Sequence, residues 1–300
     1  MTEFNVHQET TRHPRRGGAF APVSVLDVAR TRRPIAEEKP TTRIDLSVII
    51  PAYNEAGRLP ASLERIIAYL GRSSVDYELL VVDDGSSDDT AAAAEAILAP
   101  LGERGRVLRN PQNMGKGASV RRGMLAARGA RVLFSDADLS APIEELPKLE
   151  RAIDAGAGVA IGSRGVDRSL IEERQPMLRN LMGRVFNLVV QMCAVRGIRD
   201  TQCGFKLFAA ELVSPIFART RIDRFGFDVE VLALAQRLGI VIAEVPVRWH
   251  DSPGSRVTLY QGARAFLDPM RVRLGIMLGR YQLRRATHPA GTARVPVLGR

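Results

Sequence analysis

The sequence predicts a doubly wound α/β fold with a mostly parallel sheet, on three observations. From Asp45 onward, short runs rich in Val, Ile and Leu alternate with stretches of helical spacing. Strand, helix, strand, helix is the order of a sheet covered on both faces. The runs are apolar throughout rather than alternating, as strands buried on both sides are. The 300 residues are 45% hydrophobic, enough for one sizeable core, and a single α/β domain of about 200–250 residues fits within them.

The strands in order are "IDLSVIIPAYNE", "YELLVVDDGS", "RVLRN", "ARVLFSDAD" and "AGVAIGSR", each closed by polar or turn residues. After the first, Leu63, Ile66, Ile67 and Leu70 fall at i, i+3, i+4 and i+7, which predicts a helix with one apolar face. After the second, "GSSDDTAAAAEAILA" places Ser and Asp where they can cap free N–H groups ahead of an alanine-rich helix. Pro142 is placed to start a helix after the fourth run. Residues 1–43, with little periodicity, read as a disordered leader, residues 44–257 as the folded domain, and residues 258–300 as a basic amphipathic segment and tail.

Several function classes lose support early. The formal charge is +10, but Arg264 to Arg300 alone hold eight arginines and one acid, 8 − 1 = +7, so the excess is a C-terminal feature. Interleaved aromatics and base-reading motifs are lacking, which argues against a nucleic-acid partner. Cys193 and Cys203 match neither a zinc site nor a disulfide framework; two buried thiols in a reducing compartment is the natural reading. No uncharged apolar run reaches 18 residues and the N-terminus lacks the apolar stretch of a signal peptide. A cytoplasmic chain that does not span a bilayer is the expectation.

In such a sheet, ligands bind at the carboxyl ends of the strands. Those ends are Pro51 to Glu55, Asp83 to Ser86, Asn113 to Gly117, Asp136 to Ser140 and Gly162 to Arg164. Carboxylates gathered at one edge repel one another unless a cation joins them. Hard oxygen donors suit Mg²⁺ or Mn²⁺, which one or two carboxylates and substrate phosphates commonly hold. The P-loop pattern and a G-x-G-x-x-G after the first strand are both missing, which leaves a metal-chelated diphosphate. Asp136 and Asp138 follow the fourth run, and along an extended chain both side chains point the same way, into the crevice.

"LSVIIPAYNEAGRLP", "LLVVDDGSSDDT", "NMGKGASVRRGM", "FSDADLSAP", "IGSR" and "IRDTQCGFKLF" occur in the order and spacing of the family 2 glycosyltransferases of the GT-A fold, which the chain resembles over residues 45–256. The last motif, with "FGFDVEVLALAQRLGIVIAEVPVRW", is similar to the dolichyl-phosphate β-glucosyltransferase branch, whose relatives include the dolichyl-phosphate mannose synthases. The resemblance implies a nucleotide-sugar pocket of Pro51, Ala52, Tyr53, Glu55, Asp83, Lys116, Asp136 and Ala137, with Asp83 against the uracil edge. It makes Asp136 and Asp138 the metal ligands and catalytic acids, Asp138 the more direct ligand. Relatives often carry Gln where this chain has Ser140.

The second half is then expected to hold a phosphate acceptor, with Arg164, Arg179, Lys206 and Arg256 as the cations for it, since arginine grips phosphate with two parallel N–H bonds. A phosphate monoester is already largely dianionic at neutral pH, so it needs no general base. Asp228 and Glu230 are the acids a base would come from, and positioning is the part expected of them. The implied reaction is metal-dependent, inverting transfer of glucose from UDP-glucose to a polyprenyl phosphate. Transfer from GDP-mannose and transfer to a soluble acceptor stay open. "LMGRVFNLVVQMCAVRGI" and "ARAFLDPMRVRLGIMLGRYQLRR" set apolar residues among arginines, the composition of helices lying in a membrane surface, although a domain-packing helix with a basic face fits the second equally well. A peripheral place at the inner face of the membrane follows as an expectation.

Overall fold

The computed structural model describes residues 44–170, 187–250 and 267–282. The leader to residue 43, Arg179, Arg256, residues 181–186 of the first apolar and basic segment, and residues 258–266 and 283–300 of the C-terminal one lie outside the described residues. The five apolar runs form β1 (Leu46–Ala52), β2 (Tyr77–Asp83), β3 (Gly105–Arg109), β4 (Arg131–Ser135) and β5 (Val159–Ser163). β1 pairs in parallel with β2 and β4, and β2 with β3.

Two strands that the apolar pattern did not single out, β6 (Phe205–Ala209) and β7 (Ile242–Pro246), complete a seven-stranded sheet of order β3-β2-β1-β4-β6-β5-β7. β6 runs antiparallel to both β4 and β5, while β7 is parallel to β5. Lys206 inside β6 and Glu244 inside β7 interrupt what would otherwise be apolar runs. The antiparallel direction has a consequence for function. An antiparallel strand begins where its parallel neighbours end, so the residues leading into β6 join the strand ends that build the crevice.

Helices cover both faces. α1 (Leu59–Leu70), α2 (Thr90–Leu98) and α4 (Leu146–Asp154) pack on one side; α3 (Lys116–Ala126), α5 (Ala210–Phe217), α6 (Phe227–Arg237) and α7 (Asp268–Met277) pack on the other. Consecutive residues of β1 divide between the two cores, Ile49 into one and Val48 and Ile50 into the other, as the two-residue period requires. At about 1.5–3 kcal/mol for each fully buried large aliphatic side chain, this double cover holds the strand ends at fixed spacing. α1 buries Leu63, Ile66 and Leu70 as its spacing predicts, with Ile67 only half-buried. The N–H of Thr90 donates to Asp88 Oδ1 at 3.1 Å, so an aspartate serves the start of α2, one position ahead of the cap residue Asp89. Pro142 precedes a single tight turn, Ile143–Glu145, that leads into α4.

Candidate active site

The loops after β1 and β2 are laced together by short polar side chains. The N–H of Asn54 donates to Ser86 Oγ (2.8 Å), that of Ser87 to Asn54 Oδ1 (2.8 Å) and that of Glu55 to Thr90 Oγ1 (2.7 Å). Asn54 adopts a left-handed conformation, φ 54°, which asparagine tolerates better than most residues. Tyr53 is 39% exposed at the rim, and Glu55 is forked with Arg58 at 2.7 and 2.8 Å. Pro51, Ala52, Asp83 and Ala137 are buried, with Asp83 Oδ1 accepting the N–H of Ser86 at 3.3 Å.

The acids of "VDDGS" divide their work. Asp84 is buried, and its carboxylate accepts Asn110 Nδ2 (2.7 Å) and the N–H groups of Met114 (3.0 Å) and Gly115 (2.8 Å). Three donors on one carboxylate hold the loop that enters α3. That loop delivers Lys116, the first residue of α3, whose ammonium meets Asp136 Oδ1 at 2.6 Å. Burial works against the Lys116 charge, but the carboxylates of Asp136, Asp228 and Asp138 outweigh it and raise its pKa.

Asp136 and Asp138 do not lie on an extended chain. β4 ends at Ser135, the N–H of Leu139 donates to Asp136 O (3.2 Å), and Leu139 has φ 47°. The expectation that alternation would point both acids together is therefore corrected: a turn separates them. Asp136 faces Lys116. Asp138 borders a depression shared with Gly57, Arg58, Ala61, Ser62, Arg65 and Leu139, and its Oδ1 accepts the N–H of Ser140 at 3.0 Å. The turn is pinned from the far side by the N–H of His250 on Ser140 O (3.0 Å).

The strand pairing assembles a second ion pair beside the first. Phe134 of β4 is directly opposite Lys206 of β6, so their side chains share a face of the sheet. The Lys206 ammonium lies 5.7 Å from the Phe134 ring centre and that of Lys116 lies 5.6 Å from it. Lys206 is 1% exposed and donates to Asp228 Oδ1 (2.5 Å) and Cys203 O (2.6 Å). Burial pushes the Asp228 carboxyl up, against the pull of Lys206 and Lys116. The expectation that Lys206 stands open to an acceptor phosphate does not match this placement. Glu230, two residues beyond Asp228, faces away toward Tyr281.

Arg164 follows β5 with its fork already engaged: Nε and Nη2 donate to Asp200 at 2.7 and 2.9 Å, and its guanidinium lies 5.3 Å from the Trp249 ring centre. Burial raises the Asp200 carboxyl, and Arg164 overcomes that effect and holds it at about 2. The N–H of Asp200 donates to Glu244 Oε1 (2.8 Å), which also accepts Ser163 Oγ (2.7 Å). Asp200 and Glu244 were not singled out by sequence reasoning; "IRDTQ" carries the first but not its partner across the fold. Cys203 is buried, which pushes its thiol up to about 12, whereas Cys193 is only half-buried.

A divalent cation fits the donor chemistry at the β4 turn, where Asp136 and Asp138 offer hard carboxylate oxygens. Among the described residues no group of three or more His, Cys, Asp or Glu converges. The remaining donors would have to come from substrate and water, as is common for Mg²⁺.

The model for glycosyl transferase family 2 matches residues 47–217. A dolichyl-phosphate beta-glucosyltransferase of Drosophila melanogaster is 42% identical over 260 residues, 81% of this chain and 79% of its own length. One of Dictyostelium discoideum is 38% identical over 263 residues, 83% of this chain and 80% of its own. Among solved structures, glucosyl-3-phosphoglycerate synthase of Mycobacterium tuberculosis, in complex with Mn²⁺, UDP and glucosyl-3-phosphoglycerate, superposes with a TM-score of 0.57 over 80% of this chain and 81% of that one, at 21% identity, a likeness of fold. The carboxylate-rich strand ends, the matched family model and these relatives agree that the chain belongs to glycosyl transferase family 2.

Proposed function

We propose that the chain transfers glucose from UDP-glucose to a polyprenyl phosphate of the dolichyl type, with inversion at the anomeric carbon. The observation that carries this reading is the alignment with dolichyl-phosphate beta-glucosyltransferases along about four-fifths of both lengths. Residues 44–257 form the transferase domain, and residues 258–300 meet the membrane. A phosphate oxygen of the acceptor attacks the anomeric carbon as the bond to UDP breaks; one displacement turns an α-linked donor into a β-linked product. Tyr53 and Glu55 at the rim, together with the buried Pro51, Ala52, Asp83 and Ala137, receive the nucleoside, and Lys116 turns its charge to the diphosphate. Asp136 and Asp138 would hold a divalent cation, which when bound offsets charge on the departing diphosphate.

The acceptor phosphate is already ionised, so the work left to the protein is alignment. Lys206 and Asp228, locked together, fix the floor beneath the reacting atoms. Arg164, set by Asp200 and Trp249, presents positive charge at the β5 end, and Arg179 and Arg256 complete the acceptor side. The lipid is met at a surface in this reading; among the described residues no helix is long and apolar enough to cross a membrane. α7 supports this. Leu267, Met270, Leu274, Met277 and Leu278 are all at least half exposed, at the helical spacing of one stripe, while Val272 and Gly275 pack inward. Arg273 of α7 donates to Met192 O (3.2 Å), beside the exposed Leu188 and Met192. An outward apolar stripe set among arginines suits an anionic lipid surface at the cytoplasmic face.

The test is release of nucleoside diphosphate from UDP-glucose, GDP-mannose and UDP-GlcNAc, each offered with polyprenyl phosphate, the free polyprenol or 3-phosphoglycerate. UDP release with polyprenyl phosphate alone is expected. Preference for GDP-mannose would reassign the donor, preference for 3-phosphoglycerate the acceptor, and preference for the free alcohol would sink the phosphate nucleophile.

A further inference from the structure

The connection between α5 and α6, residues 220–226, is held from two sides by contacts that none of the roles above requires. On one side it grips the start of α3. The N–H of Ala118, one of the first helical amides that lack a partner within their own helix, donates to Asp223 O at 3.1 Å. Arg121 donates to Asp223 Oδ1 (2.6 Å) and to Thr220 O (3.3 Å). The approach is close enough to forbid side chains: a Cβ on Gly115 would lie 2.4 Å from Asp223 O, and one on Gly117 2.4 Å from Ile222 O. Lys116 sits between those two glycines.

On the other side the connection is held by the first turn of α6, by α7 and by the residues that follow α7. Glu230 is fully buried, and its two oxygens accept the N–H groups of Arg221 (2.9 and 3.0 Å) and Ile222 (2.9 Å) and the hydroxyl of Tyr281 (2.8 Å). Arg221 Nη2 donates to Arg280 O at 2.9 Å. A Cβ on Gly226 would lie 2.3 Å from Asp268 Oδ2, so the first residue of α7 rests on the last residue of the connection.

We infer that Glu230 and Tyr281 are positioning residues for the donor pocket: Glu230 from α6, braced by Tyr281 just after α7, fixes the 220–226 connection, and through it the Gly115–Ala118 turn that aims Lys116 at Asp136. Glu230 then acts on the diphosphate through Lys116 rather than on any proton, and the outward-facing helix is mechanically joined to the nucleotide end of the crevice. The inference rests on the reading of Lys116 as a diphosphate contact, and its test separates the two.

Tyr281→Phe removes one hydroxyl and keeps the ring that packs on Gly275, so the fold is expected to survive; Glu230→Gln is the harsher variant. UDP affinity is measured by calorimetry with Mg²⁺ present, and amide hydrogen exchange is followed in parallel, with Lys116→Met as the reference. Tyr281→Phe is expected to weaken UDP binding on the order of fivefold, the lower end of ordinary coupling between sites, and to speed exchange at Ala118, Arg221 and Ile222 while β1 and β2 stay protected. Faster exchange confined to α6 and α7, with UDP affinity unchanged, would overturn the inference. If Lys116→Met itself leaves UDP affinity intact, the diphosphate reading fails, and exchange at Ala118 still decides whether Tyr281 governs the turn.

Discussion

Asp84, Asp136 and Asp138 are one side chain in three neighbouring settings, and their surroundings assign them different parts. Asp84 spends its carboxylate on two backbone amides and Asn110, so Asp84→Ala is expected to cost stability, about 1–3 kcal/mol for donors left unpaired. Asp138→Asn, at the rim of the β4 turn, is expected to lower kcat/KM by about a hundredfold, about 2.7 kcal/mol at the transition state, with little change in Tm. Steady-state UDP release beside thermal melts checks both, and full activity in excess chelator would sink the metal role. Asp200 offers a pH test. Its folded value of about 2 lies below the ordinary 3.8. A depressed carboxylate contributes stability above its unfolded value and loses it as pH falls through the folded one. That contribution, about 2 kcal/mol, is expected to fade between about pH 4 and 2. Asp200→Asn should flatten the denaturation midpoint across that window.

At the scale of the elements, what was legible in the sequence followed from period and composition. β1, β2, β4 and β5 announce themselves by runs rich in Val, Ile and Leu and are buried, β3 by a shorter run that is only partly buried at the sheet edge, and α1 by its i, i+3, i+4, i+7 face. β6 and β7 escaped because each carries a charge whose partner lies far along the chain, Lys206 with Asp228 and Glu244 with Ser163. A charge satisfied by a distant residue looks, within a short window, like a residue in water. The turn after β4 escaped for a related reason, since the left-handed Leu139 is held by its surroundings rather than by glycine. The strand-end motifs, by contrast, stand out in the sequence, because loops at that edge carry polar and charged residues in a spelling that short-range reading can see. Gly117 shows how tight that edge is. Its α-hydrogen faces Ile222 O and Phe227 Cβ, which an added Cβ would meet at 2.4 and 2.7 Å. Gly117→Ala is expected to destabilise by about 1–3 kcal/mol through overpacking and to weaken UDP binding with it. Urea denaturation and calorimetry on the same protein would show whether the two losses travel together.

At the scale of the whole molecule, polarity runs from the strand-end crevice to a face that combines apolar side chains with basic charge. α7 presents Met270, Leu274 and Met277 outward with Arg271 and Arg273 between them, and the residues beyond it add further arginines. Burying each large apolar side chain stabilises a surface complex by at most about 1.5–3 kcal/mol, and each arginine near an anionic leaflet adds about 1 kcal/mol that salt screens. The two contributions can be separated. Met270→Glu with Leu274→Glu changes exposed side chains on a helix whose packed face is Asp268, Pro269, Val272 and Gly275, so folding is expected to be unaffected. Sedimentation with anionic vesicles should fall at least tenfold for this variant at any ionic strength, while the unaltered chain should bind anionic vesicles well, neutral ones poorly, and lose most of its binding in high salt. Equal sedimentation of variant and unaltered chain would remove α7 from the membrane surface, and salt-insensitive binding would show that the arginines contribute little to it.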